Sequence, residues 1–340
     1  MRIAIVTIFS AFNYGSFLQA YAMQEILKKM GHEVAVLDCN TESILHNLRK
    51  NIAFKKPISS IKRALIYQKA YQKDWAKLNI SKEVTDYFDL ALIGSDEVWN
   101  IHGSFEQWPQ YFGNALNAGR IIAYAPSIGF CPPEELRNSE RFVKGIRNFA
   151  TICPRDNATR QICLEVNSHV TERVVDPTLL MIDQWNELLP ERIKKGKYLV
   201  YYSYLDNSPM KDYILRFAKE HNLKVIIAGF DYKWGDEIRI CSPLEFLTLL
   251  NYAEYVFTST FHGTVFSTIL QKKLVVRPSG QKVVDYLELM GLSDRIFRDG
   301  MPYDEFSSIA EKNIDYNTVK KIQQEKQIQS LDILKQAIKA

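Results

Sequence analysis

The sequence predicts an α/β protein of two Rossmann-like domains, each a parallel sheet covered by helices. Three observations carry this. Arg2–Ile8 is apolar at nearly every position, as in a strand buried on both faces. A helical pattern and a second apolar run, Glu33–Leu37, complete a β-α-β unit. The same alternation restarts at Tyr198 after an interrupted stretch. The chain has 340 residues, which suits two domains of roughly 150 each.

The elements read as follows. After the first strand comes a polar loop, Ser10–Gly15. A helix over about Ser16–Met30 follows, with Leu18, Tyr21, Ala22, Ile26 and Leu27 on one side and Gly31 placed to end it. Strands follow at Phe88–Ile93 and Ile121–Ala125. Helices are expected near Glu134–Phe149 and Asp156–Val166. The second half offers strands at Tyr198–Tyr204, Lys224–Ala228, Tyr255–Thr258 and Leu274–Val276. Its helices run up to His221, near Leu244–Leu250 and from about Gly263 to Gln271. Asp176-Pro177-Thr178 and Pro190 interrupt the pattern, and the domains are set at 1–175 and 176–340. The last helix, about Asn317–Lys339, is expected to pack back on the first domain.

Residues 41–80 break the rhythm as a basic helical insertion. Positions 41–77 hold nine Lys/Arg (Arg49, Lys50, Lys55, Lys56, Lys62, Arg63, Lys69, Lys73, Lys77) against two acids, Glu42 and Asp74. Apolar residues from Ile44 to Ile66 are interleaved. Two readings stand: a solvated insertion, or a surface for anionic lipid or a lipid-phosphate acceptor at the membrane periphery.

Composition excludes several classes. Apolar residues make up 46% and charged ones 24%, an ordinary globular balance. With 43 basic and 39 acidic residues the net charge is +4, which is not that of a dedicated nucleic-acid binder. The five cysteines, Cys39, Cys131, Cys153, Cys163 and Cys241, form no Cys-x-x-Cys pair. Neither a disulfide framework nor a structural zinc site is expected, and no metal-like cluster of His and carboxylates is visible. The opening apolar run is too short for a signal segment, and no 18-residue apolar run occurs; a cytoplasmic protein is expected.

Ligands of open α/β sheets bind beyond the carboxyl ends of the strands. Four such loops are rich in small polar residues. Asn13, Tyr14, Gly15 and Ser16 precede the first helix, whose amino end suits an anion; a plain capped turn is the alternative. Ser95, Asp96 and Trp99 lie in Gly94–Asn100. Asp96 there is a base for a substrate hydroxyl or a helix cap, and Trp99 a sugar-stacking ring or core. Ser127 follows the Ile121–Ala125 strand. Arg155, just before a helix, is either an anion clamp or the partner of Asp156 or Asp176. Last, Ser259, Thr260, His262, Gly263 and Thr264 sit at a strand-to-helix turn. There His262 can act as acid or base near neutrality, beside hydroxyls and helix N–H groups that hold an anion.

The chain resembles the polysaccharide pyruvyl transferase family. The likeness rests on Asn13-Tyr14-Gly15-Ser16-Phe17-Leu18-Gln19-Ala20-Tyr21-Ala22, Gly94-Ser95-Asp96-Glu97-Val98-Trp99-Asn100, Tyr124-Ala125-Pro126-Ser127-Ile128-Gly129, Arg155-Asp156, Asp176-Pro177-Thr178-Leu179-Leu180 and Thr258-Ser259-Thr260-Phe261-His262-Gly263, in that order over about residues 1–275. It implies an architecture similar to GT-B glycosyltransferases, with a ligand cleft between the domains. It also implies transfer of the pyruvyl group of phosphoenolpyruvate to two hydroxyls of a sugar. The acceptor would be a surface polysaccharide or its lipid-linked precursor, and the products a ketal and phosphate, with no metal or organic cofactor. His262 would be acid or phosphate partner, Asp96 the base, and Asn13–Ser16 a donor or acceptor loop. Members often carry Arg-Leu-His-Gly where this chain has Thr260-Phe261-His262-Gly263. Its anion grip is therefore expected from other groups, Arg155 first. Two alternatives stand beside this: a nucleotide-sugar glycosyltransferase and a non-catalytic glycan-binding relative.

Overall fold

The computed structural model describes residues 1–39, 58–102, 108–205 and 208–340, with side chains of the helix that begins at Ile58 described from Leu65 onward. The chain forms two compact units, Met1–Met181 with Lys326–Ala340, and Ile182–Glu325.

The first unit is built on six parallel strands: β1 (Arg2–Val6), β2 (Glu33–Leu37), β3 (Ile80–Ser81), β4 (Leu90–Ile93), β5 (Ile121–Tyr124) and β6 (Thr151–Cys153). Their order is β3-β2-β1-β4-β5-β6, that of the dinucleotide-type doubly wound sheet. Register follows the apolar runs: Ile3 lies between Val34 and Leu90, and Ile5 between Val36 and Leu92. Residues 3–6 and all of β4 are buried, as strands covered on both faces require. The helices are α1 (Tyr14–Lys29), α2 (Ile58–Trp75), α3 (Pro133–Asn138), α4 (Glu140–Arg147), α5 (Asn157–Leu164) and α6 (Pro177–Leu180). The stretch 134–149, read as one helix from sequence, is two. Ser139 is extended, and its hydroxyl caps α4 by accepting from the Phe142 N–H.

The second unit has five parallel strands: β7 (Tyr198–Tyr202), β8 (Lys224–Ala228), β9 (Glu237–Arg239), β10 (Tyr255–Thr258) and β11 (Lys273–Val276). The order β11-β10-β7-β8-β9 repeats the topology of the first sheet about its own first strand. Around it lie α7 (Lys211–Glu220), α8 (Pro243–Asn251), α9 (Phe261–Ile269), α10 (Gln281–Leu289) and α11 (Tyr303–Glu311). A reciprocal capping box starts α8. Glu245 accepts from the Ser242 N–H, and Ser242 accepts from the Glu245 N–H. The last helix, α12 (Tyr316–Lys339), starts in the second unit, and its end from Lys326 belongs to the first. There the Ser330 hydroxyl accepts from the Val175 N–H (3.0 Å), and Arg120 donates to the Ile338 carbonyl.

Of the basic segment, Arg49, Lys50, Lys55 and Lys56 fall outside the described residues, as do the side chains of Lys62 and Arg63. In the described part Tyr67 and Tyr71 of α2 are buried, while Leu65, Ile66, Lys69, Lys73 and Lys77 are exposed. No helix among the described residues is long and apolar enough to cross a membrane.

Candidate functional site

A doubly wound sheet has one place where consecutive crossovers run to opposite sides, and the loops leaving its two central strands part there to form a crevice. In the first unit these strands are β1 and β4, so Thr7–Asn13 and Gly94–Asp96 meet. Thr7 donates its hydroxyl to the Ser95 carbonyl (2.9 Å). Gln19 is fully buried on α1, and its amide reaches Thr7 Oγ1, the Ile8 carbonyl and the Ser16 carbonyl (3.0, 2.8 and 2.9 Å), which fixes the β1–α1 loop from below. Asn13 caps α1 by accepting from the Gly15 N–H (2.9 Å). Ser16 donates to Asp96 Oδ2 (3.3 Å), and Asp96 Oδ1 accepts from the Glu97 N–H (2.9 Å).

The backbone here is forced. Asp96 has φ 74° and Ala125 φ 51°, both left-handed. Such conformations cost energy and concentrate where a loop is held for function. Gly94 has φ 104°, and a Cβ on it would lie 2.4 Å from the Tyr124 carbonyl oxygen. Behind Asp96 stands a buried ion pair. The Asp176 carboxylate accepts from Arg155 Nη1 (2.8 Å), the Ser95 hydroxyl (3.2 Å), and the Thr178 N–H and hydroxyl (3.0 and 2.8 Å). Burial opposes the charge on Arg155, but Asp176, Asp96, Asp156 and Glu97 outweigh it and raise the Arg155 pKa.

In the second unit the switch lies between β7 and β10. Ser203 and Ser259, the residues just past these strands, share a hydroxyl–hydroxyl hydrogen bond (2.8 Å). Thr258 donates to the Tyr202 carbonyl (2.5 Å) and accepts from the Thr260 N–H (3.1 Å). Thr260 caps α9 by accepting from the Gly263 N–H (3.0 Å). His262 thus occupies the first turn of α9, 6% exposed, with the Phe261 ring edge-on at 5.3 Å. First-turn N–H groups and the positive helix end favour an anion at this place. Gly263 is needed there, since a Cβ would stand 2.4 Å from Thr258 Oγ1 and 2.5 Å from Thr260 Oγ1.

A family model described as polysaccharide pyruvyl transferase matches residues 13–278. The chain belongs to this family.

No curated protein matches the chain in sequence. Among solved structures it is similar to UDP-GlcNAc 2-epimerase from Methanocaldococcus jannaschii, with TM-score 0.52, 10% identity, and 93% of each chain covered. It is also similar to another UDP-N-acetylglucosamine 2-epimerase, with TM-score 0.52 and 10% identity over 98% of this chain and 94% of that one. At such identity the likeness is one of fold: α/β with two Rossmann-like parallel sheets, of GT-B type.

Of the residues singled out in sequence, the pyruvyl transferase fold gathers Asn13, Gly15, Ser16, Ser95 and Asp96 at one switch point and Ser259, Thr260, His262 and Gly263 at the other. Tyr14 is buried and stacked on Tyr71 (5.7 Å). Ser127 turns its hydroxyl to the Gly129 N–H (3.1 Å), and its N–H donates to the Asp96 carbonyl (2.9 Å), so it supports the Asp96 backbone. Trp99 and Arg155 take the second of the two readings open to each, and Thr264 departs from its expected role. Trp99 is no stacking platform; it is fully buried, donates to the Tyr111 carbonyl (2.8 Å) and meets Phe142 and Phe149 edge-on. Thr264 donates to the Thr260 carbonyl (2.8 Å), so its hydroxyl serves the helix. Arg155 is committed to Asp176, one of the two partners expected as the alternative to an anion. As for Asp96, it precedes no helix and caps none.

Gln19, Ser203 and Phe12 are not among the site candidates read from sequence, and Asp176 is given a role there only as a possible partner of Arg155. Phe12 is 44% exposed beside the Asn13 cap and lies stacked on Tyr67 (5.0 Å) and Trp75 (6.4 Å) of α2. An aromatic residue in the loop just before an expected helix cap was the available signal. A cavity of about 720 Å³, lined in part by Met1, Tyr87, Asp89, Arg120 and Ile338, lies where β1, β4 and β5 begin, at the amino end of the first sheet. Catalytic chemistry in such folds sits at the other end.

Proposed function

We propose that this family member transfers the pyruvyl group of phosphoenolpyruvate to two hydroxyls of a sugar in a surface polysaccharide or its lipid-linked precursor. The observation that carries the reading is His262 in the first turn of α9, among capping hydroxyls at a topological switch point.

The reaction needs a proton at the donor's methylene carbon, which makes the adjacent carbon an oxocarbenium-like centre. One sugar hydroxyl attacks it and loses its proton. Phosphate then leaves with the C–O bonding pair, and the second hydroxyl closes the ketal and loses its proton. Of the two protons released, one replaces that spent at the methylene and the other is taken up by phosphate or solvent. His262 is suited to give the first proton or to face the phosphate, since imidazole exchanges protons near neutrality. Helix N–H groups beside it stabilise the anion. With Thr260 in the cap, cationic help in this unit falls to Lys282, whose Nζ lies 5.8 Å from the Phe261 ring centroid. Asp96, a carboxylate kept in reach of a hydroxyl, is the base in this scheme. Arg155 stands behind it and sets the field through Asp176. Phe12 offers an apolar face to a sugar ring. The exposed Leu65, Ile66, Lys69 and Lys73 suit the approach of an anionic lipid-linked acceptor.

The test compares surface glycan made with the wild-type chain and with His262→Ala. Mass spectrometry should show the loss of one pyruvyl unit, with the variant folded. Loss of a whole sugar residue would make the chain a glycosyltransferase, and calorimetry would then find binding of a UDP-sugar and none of phosphoenolpyruvate. An unchanged glycan would remove His262 from the mechanism.

A further inference from the structure

Outside these clusters one group of side chains has the composition of a metal site. His102 Nε2 lies 2.6 Å from Glu135 Oε2, and Cys131 Sγ lies within 4.8 Å of a ring nitrogen of His102 and a carboxylate oxygen of Glu135. They are the one such trio of His, Cys or acidic residues found among the described residues. Imidazole, thiolate and carboxylate are the ligand types of zinc. We infer that His102, Cys131 and Glu135 bind one zinc-class divalent cation, with water as fourth ligand, and that this ion ties the loop after β4 to the loop after β5.

Three features of the backbone favour chelation over an incidental His–Glu pair. Cys131 and Glu135 are four residues apart, and Pro132 and Pro133 lie between them. Pro132 has φ −61° and Pro133 opens α3, so the path from thiol to carboxylate has little freedom to lose. The Cys131 N–H is bonded to the Ile128 carbonyl (3.1 Å), which anchors the turn that carries the thiol. His102 is positioned from the other loop: its N–H donates to Asn100 Oδ1 (3.1 Å), and Asn100 Nδ2 donates to Glu97 Oε2 (3.1 Å).

The two loops already meet at Gly129. A Cβ there would stand 2.4 Å from Glu97 Oε2 and 2.8 Å from Asn100 Nδ2, so they pack as closely as backbone and side chain allow. Tetrahedral zinc with bonds of about 2.0–2.3 Å sets its ligand atoms roughly 3.3–3.6 Å apart. The His102 and Glu135 side chains are more than half and about half exposed, free to open by under about 1 Å and admit the ion. Cys131 is buried, which places the thiolate on the inner side of the metal. On binding, the thiol S–H bond breaks, the sulfur pair goes to the metal, and the proton goes to solvent. The ion's 2+ charge is then balanced by one thiolate and one carboxylate. Glu97 and Asn100 precede His102 in the loop that begins at Gly94–Asp96. A metal here would therefore hold the loop that presents Asp96.

The test uses the full chain, stripped with chelator and titrated with Zn²⁺ and with Co²⁺. The expected result is one ion per chain, a thiolate-to-cobalt charge-transfer band, and a raised melting temperature. Cys131→Ser should abolish the band, and His102→Ala or Glu135→Gln should each weaken Zn²⁺ binding by at least about tenfold. If a variant fails to fold, X-ray absorption of the wild-type zinc form decides, with one sulfur ligand expected. Less than half an ion bound at micromolar Zn²⁺, a shell without sulfur, or unchanged binding in folded Cys131→Ser overturns the inference.

Discussion

Replacing Asp176 by Asn removes one charge from a nearly dry ion pair and keeps the shape. The Arg155 and Asp176 side chains are 5% and 0% exposed. Were this pair on the surface, its loss would cost about 0–1 kcal/mol. Buried, the loss leaves a guanidinium with its strongest counter-charge gone, which costs about 3–5 kcal/mol. The amide that replaces the carboxylate can still accept from Thr178, and Asp96, Asp156 and Glu97 still face Arg155, so the lower end applies: about 3 kcal/mol. Two compact units make a single global melt ambiguous. The measurement is therefore hydrogen exchange at the β4 and β5 amides, whose slowest openings report the first unit alone. A second variant separates charge from packing. Arg155→Met with Asp176→Leu removes both charges and should destabilise less than the two single changes summed. A loss below about 1 kcal/mol for Asp176→Asn, or additivity in the pair, would refute a buried, coupled ion pair.

Gly263→Ala should destabilise the second unit by about 2 kcal/mol despite alanine's better helix propensity, because its Cβ displaces the Thr258 and Thr260 hydroxyls from the α9 cap. Hydrogen exchange at the β7 and β10 amides checks this within the second unit, and a stabilised variant would show that the cap can yield. Trp99→Ala should cost about 3–5 kcal/mol as a core truncation, whereas Trp99→Phe should leave donor affinity unchanged. Hydrogen exchange at the β4 and β5 amides reads the first and donor calorimetry the second, and lost affinity with normal stability in Trp99→Phe would return Trp99 to the site.

What sequence made legible is what neighbours along the chain decide. His262 follows directly from a strand ending at Thr258 and a helix starting at Phe261, and both signals lie within a few residues. The buried strands declared themselves as apolar runs. β3 and β9, two and three residues long and only partly buried, carry too few positions for any period to show. Trp99 could not be placed because a tryptophan after a strand is equally at home on a sugar or in a core. The choice depends on Phe142 and Phe149, more than 40 residues away in sequence.

The larger gap is sheet order, and it accounts for most of what was missed. Ser16 meets Asp96 at a separation of 80 residues, and Ser95 meets Asp176 at 81. Neither pairing has a local signature. The second needs the placement of the α6 cap, Asp176, beside the loop after β4. The first follows once β4 is known to lie against β1, because the two loops then leave adjacent strands on the same edge. Ser203 joins Ser259 for the same reason through β7 and β10. Knowing which loops were polar was therefore enough to nominate residues, but only topology could group them. Grouping also decides chemistry: of the two carboxylates open to Arg155 from sequence, Asp156 and Asp176, the one that accepts its hydrogen bond is Asp176. A phosphate or carboxylate arriving at Arg155 would have to share a guanidinium that already has a counter-ion. For that reason His262, in the first turn of α9 where helix N–H groups favour an anion, is the stronger candidate for the anionic end of the proposed donor.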